Sequence, residues 1–294
     1  SGDFGTYVLT CGLLAMPAMF ILNATSPLLI YYWTILNWAA LNITPTNAVI
    51  LSSLFAIGIL FVLLHRKKED GQLVYMIWLT VIAGFPFVLI MAIILESSLL
   101  LSVLTYFVLL LSVFGFSEAI TLPFKVIGTT GTLITLAILT YTEMWQYLDE
   151  GMSIGGAAFA GVLVIGALYF AIRVFKQDKL KFTLTITLIA LCVIRYIWAL
   201  ASLDFFPYEL IFASISNVIL LGVGIGFIIH GTKNINLFTT NIGMATTCIL
   251  IVMRFFDSEM DIFWRGVIFL GLGIFFLLVN LWILRKKKQR REVI

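Results

Sequence analysis

Charged side chains are scarce in this sequence. Asp, Glu, Lys and Arg make up 11% of its 294 residues, against about 25% in a typical soluble domain. Hydrophobic residues make up 62%, compared with about 45–50% in soluble domains, whereas disordered chains are poor in apolar residues. Because so few charges cannot cover a water-facing surface, the composition excludes a soluble globular domain, a disordered chain and a soluble nucleic-acid binder.

Cysteine and histidine are also rare, with three Cys and two His in the sequence. Cys11, Cys192 and Cys248 lie far apart in apolar segments, and an odd number at such spacing argues against a disulfide framework or a metal cluster. His65 and His230 lie at the ends of predicted helices, whereas a metal site needs several ligands in a fixed geometry. We therefore expect no metal, no cofactor and no Ser-His-Asp arrangement. An enzyme is the least favoured class, because no nucleophile–base pair is visible.

Long apolar segments dominate what remains. A bilayer core about 30 Å thick is crossed by roughly 20 helical residues, and continuous apolar runs differ from the alternating pattern of membrane β-strands. The predicted fold class is therefore all-α: a polytopic transmembrane helical bundle of about 10–11 spans, in a single transmembrane domain that covers residues 1–294. The first two segments are short and separated only by residues 23–27, so they form either a helical hairpin or one broken element. The predicted spans are 7–22, 27–41, 47–64, 72–95, 98–116, 124–142, 155–175, 182–200, 210–230, 237–255 and 262–284.

Basic residues collect in alternate loops. Short cytoplasmic loops are rich in Lys and Arg, and under the predicted spans four basic groups fall on the same side of the membrane, while the intervening loops hold acids and no Lys. This alternation predicts a cytoplasmic C-terminus and an N-terminus outside. The basic tail is typical of a stop-transfer anchor that meets anionic lipid headgroups; we expect membrane lipid and other membrane proteins as partners, and no nucleic acid. The four basic groups are Arg66–Lys68, Lys176–Lys181, Lys233 and Arg285–Arg291.

Three arginines depart from this pattern, because they lie within or near the outer ends of predicted spans. A cation at membrane depth is costly unless it is paired or solvated, and acids lie nearby in the sequence. In one interpretation, ion pairs hold the helical hairpins together; in the other, the arginines line an outward-facing pocket for an anionic ligand, since guanidinium binds carboxylate and phosphate through paired hydrogen bonds. The candidate cluster comprises Arg195, Arg254, Asp257, Arg265, Asp204 and Glu143.

Glycines recur within the predicted spans. Gly222, Gly224 and Gly226 do not share one helix face and would thin the helix broadly, which favours close packing of transmembrane helices. The segment Gly128-Thr-Thr-Gly-Thr132 lacks the lysine and the strand-to-helix context of a phosphate-binding loop. Pro86, two residues after Gly84, should kink or break the fourth span. These patterns predict packing and helix geometry, with no chemistry attached.

The last predicted hairpin and its basic tail carry a recognisable set of residues: Arg254-Phe-Phe-Asp257, Trp264-Arg265-Gly266, Phe269, Gly271, Gly273 and Asn280. This set resembles the end of a bacterial membrane-protein family that is catalogued as domain of unknown function 2157. The opening Gly2-Asp3, followed by an apolar span with Pro17, is also similar to an internal segment of such proteins. The resemblance implies that a cytoplasmic N-terminal region and earlier spans precede this chain, and it implies no activity.

The sequence thus leads to two hypotheses of different classes. The first is a multi-pass bacterial inner-membrane protein of unknown biochemical role that acts as a structural or assembly component of an envelope process. The alternative is a transporter or lipid-handling protein with an outward-facing anion site. A water-filled cavity that reaches past Arg195 toward the bilayer midplane would favour transport. Arginines held tightly by neighbouring groups would favour the structural role.

Overall fold

The computed structural model describes residues 4–22, 24–65, 71–113, 118–146, 153–174, 179–201 and 208–257, together with eleven residues spaced between 266 and 285. Helices account for nearly all of this part of the chain, and it contains no strand. Seven of its helices are long and apolar enough to cross a membrane. The prediction of an all-α polytopic membrane bundle is therefore confirmed. In lipid, helices are favoured because each one satisfies its own backbone hydrogen bonds.

Eleven helices have defined bounds, and ten of them overlap the first ten predicted spans. The additional helix is the short α7, which hydropathy does not predict. The eleven described residues between 266 and 285 are helical, and all but the last lie within the eleventh predicted span. The bounds are α1 Phe4–Leu22, α2 Thr25–Leu41, α3 Pro45–His65, α4 Gly71–Ile94, α5 Leu99–Ser112, α6 Glu118–Ile138, α7 Thr142–Gln146, α8 Ile154–Val174, α9 Lys179–Ala201, α10 Tyr208–Lys233 and α11 Leu237–Asp257.

The helices form two compact units, and α6 passes from one to the other. The first unit comprises residues 1–135 and 147–206, and the second comprises 136–146 and 207–294. The sequence carries no composition shift at these boundaries. Each unit is described by itself below.

The centre of the first unit is α5. Its residues 101–108 are all buried, as are Leu110 and Ser112, so every side of the helix is covered over about two turns. A helix that is apolar all round is expected in such a central position. Helices α4, α8 and α9 pack against it, and Gly128 of α6 lies so close that a Cβ atom there would be 2.6 Å from the Leu111 backbone nitrogen. The glycines of the 128–132 segment therefore serve helix packing.

Tyrosine hydroxyls tie this unit together at buried positions. Tyr31 of α2 donates a hydrogen bond to the Leu54 carbonyl oxygen of α3 at 2.7 Å, and Tyr106 of α5 donates to the Val81 carbonyl oxygen of α4 at 2.5 Å. The Tyr106 hydroxyl fits there because Gly84 has no side chain, and a Cβ atom at Gly84 would overlap it. Helix α4 continues through Pro86 without a break.

Helices α1 and α2 form an antiparallel hairpin. Gly12 of α1 lies against Thr34 of α2, where a Cβ atom would be 2.7 Å from the threonine hydroxyl. These two residues are equally distant in sequence from Asn23, as an antiparallel pair requires. Of the two arrangements that the sequence left open for the first two segments, the structure shows the hairpin.

Two interhelical turns share the same left-handed geometry. Glu96 follows α4 with a φ of 49°, and Ile235 follows α10 with a φ of 54°. In each turn the next backbone N–H reaches back five residues, from Ser97 to the Ala92 carbonyl oxygen and from Asn236 to that of Gly231, both at 2.8 Å. This is the Schellman arrangement, in which glycine is the usual left-handed residue.

Glycine at position 96 is expected to stabilise the chain. The left-handed region costs a residue with a Cβ atom roughly 1–2 kcal/mol, and the greater freedom of glycine in the unfolded chain offsets about 0.5–1 kcal/mol. Glu96→Gly should therefore raise the melting temperature of the purified protein by about 1–4 °C. Glu96→Ala removes the same exposed carboxylate but keeps the backbone cost, so an equal gain in that variant would contradict the backbone explanation.

The second unit is built around the α10–α11 hairpin, which packs through glycine. A Cβ atom on Gly243 would lie 2.6 Å from the Gly224 carbonyl oxygen and 2.7 Å from the Ile228 nitrogen. By contrast, Cβ atoms on Gly222 and Gly226 would meet no atom of the described residues within 4 Å. The prediction of close packing therefore holds at Gly224 and not at its two neighbours, which lie on other faces of α10.

Candidate functional site

Arg254 lies in the second unit, three residues before the end of α11, and it bonds to two other segments of that unit. Its Nε donates a hydrogen bond of 2.9 Å to Oδ1 of Asn217 on α10. Its Nη2 donates to the Thr140 carbonyl oxygen, in the turn between α6 and α7. The arginine side chain is half-buried. One guanidinium group therefore joins α10, α11 and the α6–α7 turn. Arg254, Asn217, Thr140 and Tyr141 are called the Arg254 cluster below.

Asn217 is oriented by hydrogen bonds of its own. Its Nδ2 donates to the Ala213 carbonyl oxygen at 2.7 Å, one turn earlier on α10, and to the Thr140 carbonyl oxygen at 3.3 Å. These contacts leave Oδ1 facing the arginine. The Thr140 carbonyl oxygen thus accepts from both Asn217 and Arg254, and the hydroxyl of Thr140 donates to the Ala137 carbonyl oxygen at 2.6 Å.

Aromatic side chains hold the α6–α7 turn against α10. The guanidinium carbon of Arg254 lies 5.7 Å from the centroid of the Tyr141 ring, within the range of a cation–π interaction. Trp145 of α7 is fully buried; its indole N–H donates to the Leu139 carbonyl oxygen at 2.7 Å, and its ring stacks on Phe212 at 5.0 Å between centroids. The short α7 therefore presents a large anchor to α10.

The chemistry of the Arg254 cluster is that of a structural junction. Asn217, Thr140 and Tyr141 offer the guanidinium an amide oxygen, a carbonyl oxygen and an aromatic face. Arginine suits this arrangement because its planar group donates in several fixed directions and stays charged at any physiological pH. Buried or half-buried backbone carbonyls at a turn need donors, and Arg254 supplies one to the turn after α6.

Of the other residues of the predicted cluster, two have described side chains and three do not. Arg195 lies in the first unit, on α9, and is 1% exposed. Glu143 is exposed on α7. Asp204 and Arg265 lie outside the described residues, and so does the side chain of Asp257, the last residue of α11. The grouping of these residues into one cluster stays a prediction.

Asn217, Thr140 and Tyr141 were not singled out from the sequence. Asn217 could have been recognised as a candidate, because an amide within an apolar span is costly unless it is hydrogen-bonded. The Thr140 contact carried none, since it uses a backbone carbonyl that every residue possesses.

Arg195 lies on the buried side of α9, one residue before Tyr196, which meets buried hydroxyl groups of α5. Tyr196, next to it in sequence, has its hydroxyl 3.3 Å from the Thr105 hydroxyl of α5. Ser102 lies one turn earlier on α5, and its hydroxyl is 2.7 Å from that of Ser97 in the turn before the helix. Ser102 and Thr105 are at most 1% exposed. The first unit therefore has a buried polar seam between α5 and α9, with a cation on the same part of α9.

Metal-ligating side chains do not gather in the part of the chain that the structure describes: no three His, Cys, Asp or Glu residues there are placed to hold an ion. Comparisons of the chain with protein-family models, with curated proteins and with solved structures find no match. The Arg254 cluster and the polar seam are therefore interpreted from their own geometry.

Proposed function

We propose that this multi-pass membrane protein is a structural or assembly component of a bacterial inner membrane that serves an envelope process. The observation that carries the proposal is the Arg254 cluster. Its guanidinium is bonded to Asn217 on α10 and to the backbone of Thr140, so the group is used to hold helices in place. A binding site for a diffusing anion would instead keep these donors for the ligand.

The proposed location and family rest on the sequence. The alternation of basic and acidic loops supports an inner-membrane protein with its C-terminus in the cytoplasm. The resemblance of residues 254–280 to the family of domain of unknown function 2157 supports a bacterial origin. Neither adds a reaction or a substrate.

A second candidate function is transport or lipid handling, and the buried polar seam favours it. Arg195 is 1% exposed on a membrane-embedded helix, and such a cation often marks a path for a substrate or ion. The next residue, Tyr196, has its hydroxyl close to that of Thr105, and Ser102 is buried one turn away on α5. The site of this second candidate would therefore include Arg195 of the first unit.

One experiment separates the two candidates. The protein is reconstituted in liposomes, uptake of labelled inorganic phosphate is measured, and its melting temperature is recorded with and without phosphate. The structural role predicts uptake equal to that of protein-free liposomes and an unchanged melting temperature. It also predicts that loss of the gene in its host sensitises cells to agents that the envelope excludes. If the protein took up phosphate and the well-folded Arg195→Lys variant did not, the structural role would be overturned and the second candidate established.

A further inference from the structure

One face of α8 is exposed from end to end. Ile154, Val162, Ile165, Tyr169 and Ile172 are each more than half exposed, and they recur at helical spacing along a helix that qualifies as a membrane span. The opposite face packs on α5 and α9. A span whose one face is exposed and almost wholly apolar lies against lipid acyl chains.

The lipid-facing stripe of α8 ends in an ordered arginine. The Nη2 of Arg173 donates a hydrogen bond of 2.5 Å to the hydroxyl of Tyr169. The guanidinium carbon also lies 4.7 Å from the centroid of the same ring. Both side chains are exposed, so the charged group is presented on the surface of the stripe in a fixed orientation.

The direction of the Arg173 side chain matters as much as its partner. Side chains on a helix lean toward its N-terminus, and Tyr169 lies one turn before Arg173. The guanidinium is therefore held about one helical turn, roughly 5 Å, back along the span, where it does not extend freely into the water beyond the helix end. A cation kept at that depth on a lipid-facing surface favours a nearby counter-ion.

We propose that Arg173 and Tyr169 form a binding site for the phosphate of an anionic glycerophospholipid in the leaflet at the C-terminal end of α8. Guanidinium binds phosphate through paired charge-assisted hydrogen bonds. Tyr169 accepts one of the five N–H donors and fixes the plane of the group, while the acyl chains lie along Val162, Ile165 and Ile172. The site is independent of the function proposed above, because it lies on the outer surface of α8.

Lipid binding by single-residue variants tests this site. The purified full chain is delipidated in detergent and titrated with phosphatidylglycerol, and bound lipid is counted by native mass spectrometry. Arg173→Gln should weaken binding at the tightest site about fivefold, the effect of one basic group near a headgroup. Lys233→Gln removes an exposed cation from the end of α10, which has no such tyrosine partner, and should leave that binding unchanged.

Four further measurements make the assignment specific. Tyr169→Phe keeps the ring and loses only the hydrogen-bond acceptor, so a smaller loss of affinity is expected, and Arg173→Lys should fall between the wild type and Arg173→Gln. Phosphatidylcholine should bind more weakly than phosphatidylglycerol, and inorganic phosphate should not compete at equal concentration. Equal binding by the wild type and Arg173→Gln would overturn the site, and competition by inorganic phosphate would overturn its assignment to a lipid.

Discussion

Replacing Arg254 by alanine is expected to lower the stability of the protein by about 2–4 kcal/mol. The substitution removes the two hydrogen bonds described above from a charged donor. Such bonds are worth roughly 1.5–3 kcal/mol each, and their sum is reduced here because the half-buried arginine is partly screened by solvent. It leaves Asn217 Oδ1 without that donor and Thr140 with only the longer contact from Asn217. In a chain of this length the change corresponds to a fall in melting temperature of about 5–15 °C, measured by thermal unfolding in lipid-free detergent.

Matched variants separate the geometry of Arg254 from its charge. Arg254→Lys retains the charge but cannot reach Asn217 and Thr140 from one rigid fork, so it should recover less than half of the loss. Arg173→Ala makes the same chemical change at an exposed arginine, and it should shift the melting temperature by no more than about 2 °C in the absence of lipid, as surface substitutions usually do. A melting temperature of Arg254→Ala within that range would contradict the structural role of the cluster.

The extent of each span could be predicted because hydropathy reports directly on the cost of placing polar groups in lipid. Helices α4 and α10 therefore begin and end within three residues of the predicted limits. Prediction failed for α7, which has five residues and is too short for any periodic pattern. Its Trp145 is nevertheless one of the largest fully buried side chains in the described part of the protein.

The central position of α5 could not be predicted from the sequence either. Lipid tails are as apolar as a protein interior, so an apolar helix has the same kind of sequence whether it faces lipid or other helices. Only the small polar residues of α5 gave a hint, since Ser102 and Thr105 need hydrogen-bond partners away from water. Partners such as the hydroxyl of Tyr196 come from distant sequence and appear only when the helices are assembled.

The same limit applies to the candidate site. Arg254 could be found because a cation at the outer end of a span departs from the charge pattern. The partners that the structure describes could not, because they are the amide of Asn217 on another helix and a backbone oxygen of a distant turn. The sequence therefore indicates where an unusual charge lies more readily than what it contacts.

Adding one methyl group at Gly243 is expected to disrupt the α10–α11 hairpin. The new Cβ atom would lie 2.6 Å from the Gly224 carbonyl oxygen and 2.7 Å from the Ile228 nitrogen. Both atoms belong to the backbone, so no side-chain rotation relieves the overlap and the helices must separate. Overpacking of this kind costs about 1–3 kcal/mol, and separation also weakens the support of Arg254 and Asn217, which lie on the two helices. Gly243→Ala should therefore lower the melting temperature by about 5–10 °C.

Gly222 and Gly226 provide the matched controls on α10, because within the described part of the chain a Cβ atom at either position meets nothing within 4 Å. Alanine favours a helix over glycine by about 0.5–1 kcal/mol, so Gly222→Ala and Gly226→Ala should leave the melting temperature unchanged or raise it slightly. Gly224→Ala should resemble Gly243→Ala but with a smaller loss, since its Cβ atom would meet the Thr247 hydroxyl, a side-chain atom, at 2.5 Å. If all four variants melted alike, close backbone approach between α10 and α11 would not be what stabilises the second unit. If only Gly243→Ala and Gly224→Ala lost stability, the interface with α11 would lie on the face of α10 that carries Gly224. Hydropathy does not distinguish that face from the others, because lipid and protein neighbours are equally apolar.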